Sequence, residues 1–214
     1  MSKAIFCDGG GVLFSDSSIK RHIYSAVNKF VDISYEEFME KYSKYKTKAQ
    51  TLPGYDNDAA LRDYLAEIGL SITYNEVKKK INKIEKFKPS PDVVETLSQL
   101  HSKGMKFIIL TDATKTGEGL KPYLTQMQIS EYVADIISSK DVGVSKPDAR
   151  FFEYALNKHN LKKEEVFFVG HDLDELIGAH ELGFEVYAVN HNEQLDFLDN
   201  KHKLGSFKDL ISLI

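Results

Sequence analysis

Four short apolar runs that do not alternate with polar residues constrain this chain more than anything else in it: Ala4-Ile5-Phe6-Cys7, Phe107-Ile108-Ile109-Leu110, Val166-Phe167-Phe168-Val169 and Val186-Tyr187-Ala188-Val189. A weaker run lies around Ala134 to Ile137. A strand with one wet face alternates apolar and polar residues, whereas an unbroken run suits a strand covered on both faces, as in a parallel sheet. From about residue 90 onward helix patterns separate the runs. Ser90-Pro91-Asp92 offers an N-cap and a proline at the first helical position, and Lys103-Gly104 offers a basic last turn and a glycine stop. Strand alternating with helix predicts an α/β fold, a Rossmann-like three-layer core with a parallel sheet between helices.

The stretch from Phe14 to Phe87 has no such runs. It carries Ser34-Tyr35-Glu36-Glu37 and Thr73-Tyr74-Asn75-Glu76, both shaped like helix capping boxes. Leu61, Tyr64, Leu65 and Ile68 form an apolar face at helical spacing that stops at Gly69, and Leu52-Pro53-Gly54-Tyr55 separates two helices. Lys78-Lys79-Lys80 reads as a solvated helix face. The expected organisation is therefore a core made of residues 1–14 and 88–214, with an all-helical insertion over 15–87.

The chain has 214 residues with a formal net charge of −4, so no net basic field recruits nucleic acid or an anionic membrane. The longest apolar runs are strand-sized, far below the roughly 20 residues of a membrane span. No signal-peptide pattern precedes the first run, and Cys7 is the one cysteine, so no intramolecular disulfide forms. These features point to a reduced, cytoplasmic protein with neither nucleic-acid nor membrane partners.

In an open parallel sheet, ligands bind beyond the carboxyl ends of the strands. The residues there are polar each time: Asp8-Gly9-Gly10-Gly11 after the first run, Thr111-Asp112 after the second, and Gly170-His171-Asp172-Leu173-Asp174-Glu175 after the run ending at Val169. Lys146-Pro147-Asp148 precedes a later helix. Carboxylates suit a divalent cation, while hydroxyl, ammonium and backbone N–H groups suit phosphoryl oxygens.

These four segments, in this order and with helices inserted between the first two, resemble the haloacid dehalogenase-like hydrolase superfamily over nearly the whole chain. The resemblance implies phosphoryl transfer through an aspartyl-phosphate with Mg²⁺, Mn²⁺ being an alternative, on a small phosphorylated metabolite. The insertion then corresponds to a lid-like cap whose Arg21, Tyr24, Tyr42, Tyr45 and Tyr55 could touch substrate. It makes Asp8 the nucleophile, with Thr111 and Lys146 as its catalytic partners. Gly9, Gly10, Thr111, Asp112 and Lys146 would bind phosphate, and Asp8, Gly10, Asp172 and Glu175 would bind metal.

Two positions depart from the family pattern. The first motif, Asp-x-Asp-Gly-Thr/Val-Leu, has Gly10 where its second aspartate belongs. Gly10 keeps a backbone carbonyl but loses the side chain that protonates the leaving group, a loss worth about 10²–10⁴-fold. Low or narrow activity is expected, with Asp112, Asp16, His171 or the substrate as the substitute acid. In the fourth motif, Gly-Asp-x-x-x-Asp, His171 takes the first acidic position, Glu175 the second, and Asp172 comes one residue late. A catalytically lapsed phospho-ligand or partner-binding protein is the alternative. Carbon–halogen cleavage would need a cationic halide cradle, yet Arg21, Arg62 and Arg150 are the chain's only arginines.

Overall fold

In a computed structural model of the chain, residues 3–14, 19–81, 88–90, 92–191 and 195–214 are described. Strand β1 (Ala4–Asp8) is followed by four helices, α1 (Ile19–Val27), α2 (Tyr35–Thr51), α3 (Asn57–Glu67) and α4 (Tyr74–Ile81). Then α5 (Val93–Ser102), β2 (Lys106–Thr111), α6 (Gly117–Gln126), β3 (Val133–Ser138), a short α7 (Ser139–Val142) and α8 (Ala149–His159) follow in turn. The chain ends through β4 (Val166–Gly170), α9 (Leu173–Glu181), β5 (Glu185–Val189), a two-residue β6 (Lys203–Leu204) and a 3-10 segment over Phe207–Leu213.

All strand pairs are parallel, and the sheet order is β3-β2-β1-β4-β5-β6. The apolar runs lack alternation because each face of the sheet has its own core. Ile5, Cys7, Ile109, Phe167 and Val169 pack on one side with Leu97 of α5, Leu124 of α6 and Phe207. Ala4, Phe6, Ile108, Leu110 and Phe168 pack on the other with Phe151 and Phe152 of α8 and Leu176 of α9. The residues of these runs thus meet apolar side chains on both faces and are buried, whereas Lys106, Ala134 and Glu185 near the strand beginnings are not.

Helices α1 to α4 form a second, aromatic-rich core in which Phe38 stacks on Tyr42 at 5.1 Å between ring centroids and meets Tyr64 edge-on at 5.5 Å. Leu61, Tyr64 and Leu65 are buried there, and Ile68 packs against them before Gly69 turns the chain at φ +74°. The junctions at residues 14/15 and 87/88 adjoin residues outside the described set. Ser34 caps α2 by accepting from the Glu37 N–H at 3.1 Å. Thr73 does not cap α4: a 3-10 turn over Ser71–Thr73 leads into the helix, and the Thr73 hydroxyl donates back to the Leu70 carbonyl at 2.8 Å.

Helix α5 also begins differently from the pattern, since Asp92 sits in a left-handed conformation at φ 63° and the helix starts at Val93; Pro91 lies outside the described residues. Strand β6, only two residues long, has no sequence signature.

The two parts meet at the end of α2. The Lys140 ammonium of α7 donates to the Ala49 carbonyl at 2.9 Å, to the Tyr55 carbonyl at 2.7 Å and to the Leu52 carbonyl. A cation at the carbonyl end of a helix also matches the helix dipole. Gln50, buried, donates to the Asp112 carbonyl at 2.8 Å, and Asn57 donates to Thr114 Oγ1 at 2.8 Å. The helical part is thereby fastened over the carboxyl ends of the strands. No helix among the described residues is long and apolar enough to cross a membrane.

Candidate active site

Parallel register brings the strand ends into line. Asp8 is paired with Leu110, one residue before Thr111, while Cys7 is paired with Val169, one residue before Gly170. The sheet order reverses direction around β1, so the crevice opens between strands whose connections leave to opposite sides. A cavity of about 640 Å³ lies there, between the strand ends and the helical part. Asp8, Gly10, Thr111, Asp112, Lys146, Asp172 and Glu175 all line it, whereas Gly9 does not.

Lys146 is the electrostatic centre. Its ammonium, fully buried, donates to Asp8 Oδ1 at 2.6 Å and to Glu175 Oε2 at 2.7 Å, and its backbone N–H donates to Asp112 Oδ1 at 3.3 Å. Burial works against that charge, but Asp8, Glu175 and Asp112 outweigh it and hold the lysine above its ordinary pKa. Asp8 is 5% exposed. Burial would push its carboxyl up, yet Lys146 and His171 together bring it below the usual carboxylate value, so it is ionised at neutral pH. Glu175 goes the other way: burial and then the charge of Asp8 push it up to about 8. Burial likewise raises Asp112.

His171 takes the other oxygen of Asp8, with Nδ1 at 3.1 Å from Oδ2, and that hydrogen bond raises its pKa. Of the three consecutive glycines, Gly11 makes this possible. Gly11 has φ +77°, and a Cβ there would stand 2.5 Å from His171 Cδ2 and closer still to the rest of the ring. Only glycine lets the imidazole lie against this loop. At Gly9 a Cβ would be 3.3 Å from Thr111 Oγ1 and from the Phe14 ring, so Gly9 is closed in behind Thr111. At Gly10 a Cβ would meet only Phe14 Cε2, at 3.8 Å, and φ is not positive.

Of the aromatic and cationic residues expected to reach substrate from the helical part, Tyr42 lines the cavity. The others are engaged elsewhere: Tyr24 donates to the Ile33 carbonyl, Tyr45 to Glu67, Tyr55 to Asp63, and Arg21 lies over the Tyr35 ring at 4.8 Å. Lys20, Lys46, Gln50 and Lys115 line the cavity instead. No motif marks them: Lys20, Lys46 and Gln50 arrive through the docking of α1 and α2 over the strands, and Lys115 lies in the loop between β2 and α6. Cys7 packs in the core, its thiol pushed up by burial. Asp16 lies outside the described residues.

A buried carboxylate held by an ammonium at the ends of parallel strands, beneath inserted helices, fits a doubly wound α/β protein of the hydrolase type. Comparison with known proteins then places it more narrowly. The family model of haloacid dehalogenase-like hydrolases matches residues 20–189, and the chain belongs to that family. It is 27% identical to a glyceraldehyde 3-phosphate phosphatase of Methanocaldococcus jannaschii, over 100% of this chain and 97% of that protein. It is 28% identical to (S)-2-haloacid dehalogenase 4A of Burkholderia cepacia, over 58% of this chain and 54% of that one. Among solved structures, a phosphatase of the family from Thermococcus onnurineus superposes with a TM-score of 0.65 at 19% identity, covering 99% of this chain and 97% of its own. The L-2-haloacid dehalogenase of Xanthobacter autotrophicus gives 0.65 at 18%, covering 100% and 98%.

Phosphatases of this family generally use Mg²⁺, which takes octahedral oxygen ligands and gives up its waters reluctantly. The residues here do not fit that ion. Both oxygens of Asp8 already accept from nitrogens, and an imidazole stands at the first acidic position of the fourth motif. Asp172 is exposed and caps α9, accepting from the Asp174 N–H at 3.1 Å, while Glu175 is held by Lys146. The ligand set expected from Asp8, Gly10, Asp172 and Glu175 is therefore not assembled. No group of three or more His, Cys, Asp or Glu side chains is placed to hold a metal ion among the described residues.

Proposed function

We propose that this hydrolase is a phosphohydrolase that acts on a small phosphorylated metabolite through an aspartyl-phosphate on Asp8. The observation that carries this reading is the ionised, buried Asp8 carboxylate, held at 2.6 Å by Lys146 in a cavity that Thr111 also lines. In the first step an Asp8 oxygen bonds to phosphorus as the bond to the leaving oxygen breaks, and that oxygen takes up a proton. In the second, a water oxygen bonds to phosphorus and the bond to Asp8 breaks, releasing inorganic phosphate and restoring the carboxylate. Lys146 offsets the charge of nucleophile and phosphoryl group, and the Thr111 hydroxyl donates to a phosphoryl oxygen. Lys20, Lys46 and Lys115 line the cavity together with the exposed Asp172 and Asp174, and the three lysines suit an anionic substrate.

Relatives support a phosphorylated substrate over a haloacid. Glyceraldehyde 3-phosphate phosphatases from three archaea align over 89% or more of this chain, whereas the haloacid dehalogenases of similar identity align over 58%. None of the three arginines lines the cavity: Arg62 lies over the Tyr74 ring at 3.7 Å and Arg150 pairs with Asp148 at 2.6 Å, as Arg21 does with Tyr35. A screen of metabolite phosphates for phosphate release tests the reading. Asp8→Asn abolishes turnover, with melting curves to show that the protein still folds although the buried Lys146 loses an anionic partner; activity that survives Asp8→Asn assigns the reaction to another nucleophile.

A further inference from the structure

We propose that the Asp8 site works without a divalent metal, because Lys146 supplies the positive charge and His171 the second donor that together hold both oxygens of the nucleophile. The inference rests on the phosphohydrolase reading for its chemistry, but its geometry stands apart from it. A carboxylate that is to attack phosphorus must be fixed in direction and screened from the phosphate charge. Lys146 Nζ at 2.6 Å from Oδ1 and His171 Nδ1 at 3.1 Å from Oδ2 do the fixing with two nitrogen donors. The ammonium, fully buried and shared with Glu175, does the screening in surroundings where its field is weakly damped.

The imidazole is seated by construction. Gly11, at φ +77°, removes the one side chain that would exclude it, and the Gly11 carbonyl is fixed from behind by Asn190 Nδ2 at 3.0 Å. The ring thus covers the Asp8 oxygen that Lys146 leaves, on the side where the fourth motif would otherwise present a carboxylate. Asp172, the carboxylate next in sequence, is committed to the first turn of α9. Asp8, Asp112 and Glu175 each already accept from Lys146, so a cation would have to displace these bonds to gather oxygens beside the Gly10 carbonyl, a poor set for a hard ion that needs several.

The test separates metal binding from turnover. Chelator-stripped protein is titrated with MgCl₂ and with MnCl₂ by calorimetry, orthovanadate binding is measured in EDTA, and hydrolysis of an aryl phosphate is followed with EDTA or with Mg²⁺. We expect no metal heat up to about 10 mM, the range in which even a weak site fills, vanadate binding in EDTA, and one rate in both buffers. His171→Asp should gain Mg²⁺ binding and lose about tenfold or more of its rate in EDTA. Wild-type protein that binds Mg²⁺ or Mn²⁺ stoichiometrically, with the heat lost in Asp8→Asn, overturns the proposal, as does turnover that appears only with metal. Absence of turnover in both buffers would sink the phosphohydrolase reading, while the wild-type titrations would still decide the metal question.

Discussion

Gly10→Asp puts back the one acid that the first motif lacks, and the structure sets what it should do. Of the three glycines, Gly10 is the one with room: φ is not positive, and a Cβ would make only ordinary contact, 3.8 Å from Phe14 Cε2. The strain of about 1–2 kcal/mol that a side chain meets in a left-handed conformation applies at Gly11 and not at Gly10. The substitution should therefore be tolerated, with any change in stability below about 1 kcal/mol. Its carboxyl would join the cavity that Asp8, Thr111 and Lys146 line.

A positioned general acid contributes about 10²–10⁴-fold, and one placed without tuned neighbours should give about 10–10³-fold, or about 1.4–4 kcal/mol of barrier. The gain belongs to substrates whose leaving groups need a proton. Alkyl phosphates should accelerate by that factor, and aryl phosphates, which depart with little protonation, by much less. The assay is kcat/KM for one alkyl and one aryl phosphate in both proteins, together with a melting curve. The ratio of the two gains isolates proton donation from any general change in binding. A folded Gly10→Asp protein with equal gains on both substrates, or none, refutes the argument that the missing aspartate limits turnover.

Gly11→Ala should lower stability by about 1–2 kcal/mol through the left-handed backbone alone, and should also displace the His171 ring; melting curves and the imidazole chemical shifts report the two effects separately. Glu175→Gln tests the raised carboxyl. A folded-state pKa lifted from 4.5 to about 8 costs the native state stability as pH climbs through that interval. The melting temperature of Glu175→Gln minus that of wild type should accordingly grow from pH 4.5 to 8 and then level off, and a flat difference would contradict the assignment. Lys140→Met removes the ammonium that gathers the Ala49, Leu52 and Tyr55 carbonyls. It should cost about 1–2 kcal/mol in denaturant titrations, the ammonium being only partly buried, and should speed proteolysis in the α2–α3 loop.

Strands β1 and β4 were legible because they are apolar almost throughout, and that pattern has one physical cause, a core on both faces. β2 and β5 carry such a run behind a charged first residue, β3 is broken by Asp135, and β6 has no run. The contact of Lys146 with Asp8 was legible from motif positions, whereas its bond to Glu175, a residue expected to hold metal, was not. The cavity wall was not. Tyr24, Tyr45 and Tyr55 have the right residue type but spend their hydroxyls inside the helical part, on Ile33, Glu67 and Asp63. Lys20 and Lys46 line the cavity with no local signal, because docking of the insertion through Lys140, Gln50 and Asn57 brings them there, and Lys115 reaches it from the β2–α6 loop. A helix start was misread at Thr73 for a related reason: the hydroxyl donates back to the Leu70 carbonyl within the preceding turn, and the 3-10 turn over Ser71–Thr73 leads directly into the helix it was expected to cap.

Gly10 and His171 look in the sequence like two independent losses from one motif pattern, and either alone would weaken the site. Gly11 stands where the first motif itself carries glycine, and at φ +77° and without a Cβ it leaves room for the imidazole of His171. With the ring in place, Asp8 is bonded through both oxygens and kept ionised by nitrogen donors, so the carboxylate can remain a nucleophile although the acidic first position of the fourth motif is gone. The loss at Gly10 is not made good locally, since only Phe14 lies near its missing side chain, and a substitute acid has to come from another cavity residue such as Asp112. The two departures therefore act on different steps: His171 bears on how the nucleophile is held, and Gly10 on how the leaving group departs. Double-mutant analysis of Gly10→Asp with His171→Asp should find their effects on the alkyl-to-aryl rate ratio carried by position 10 alone.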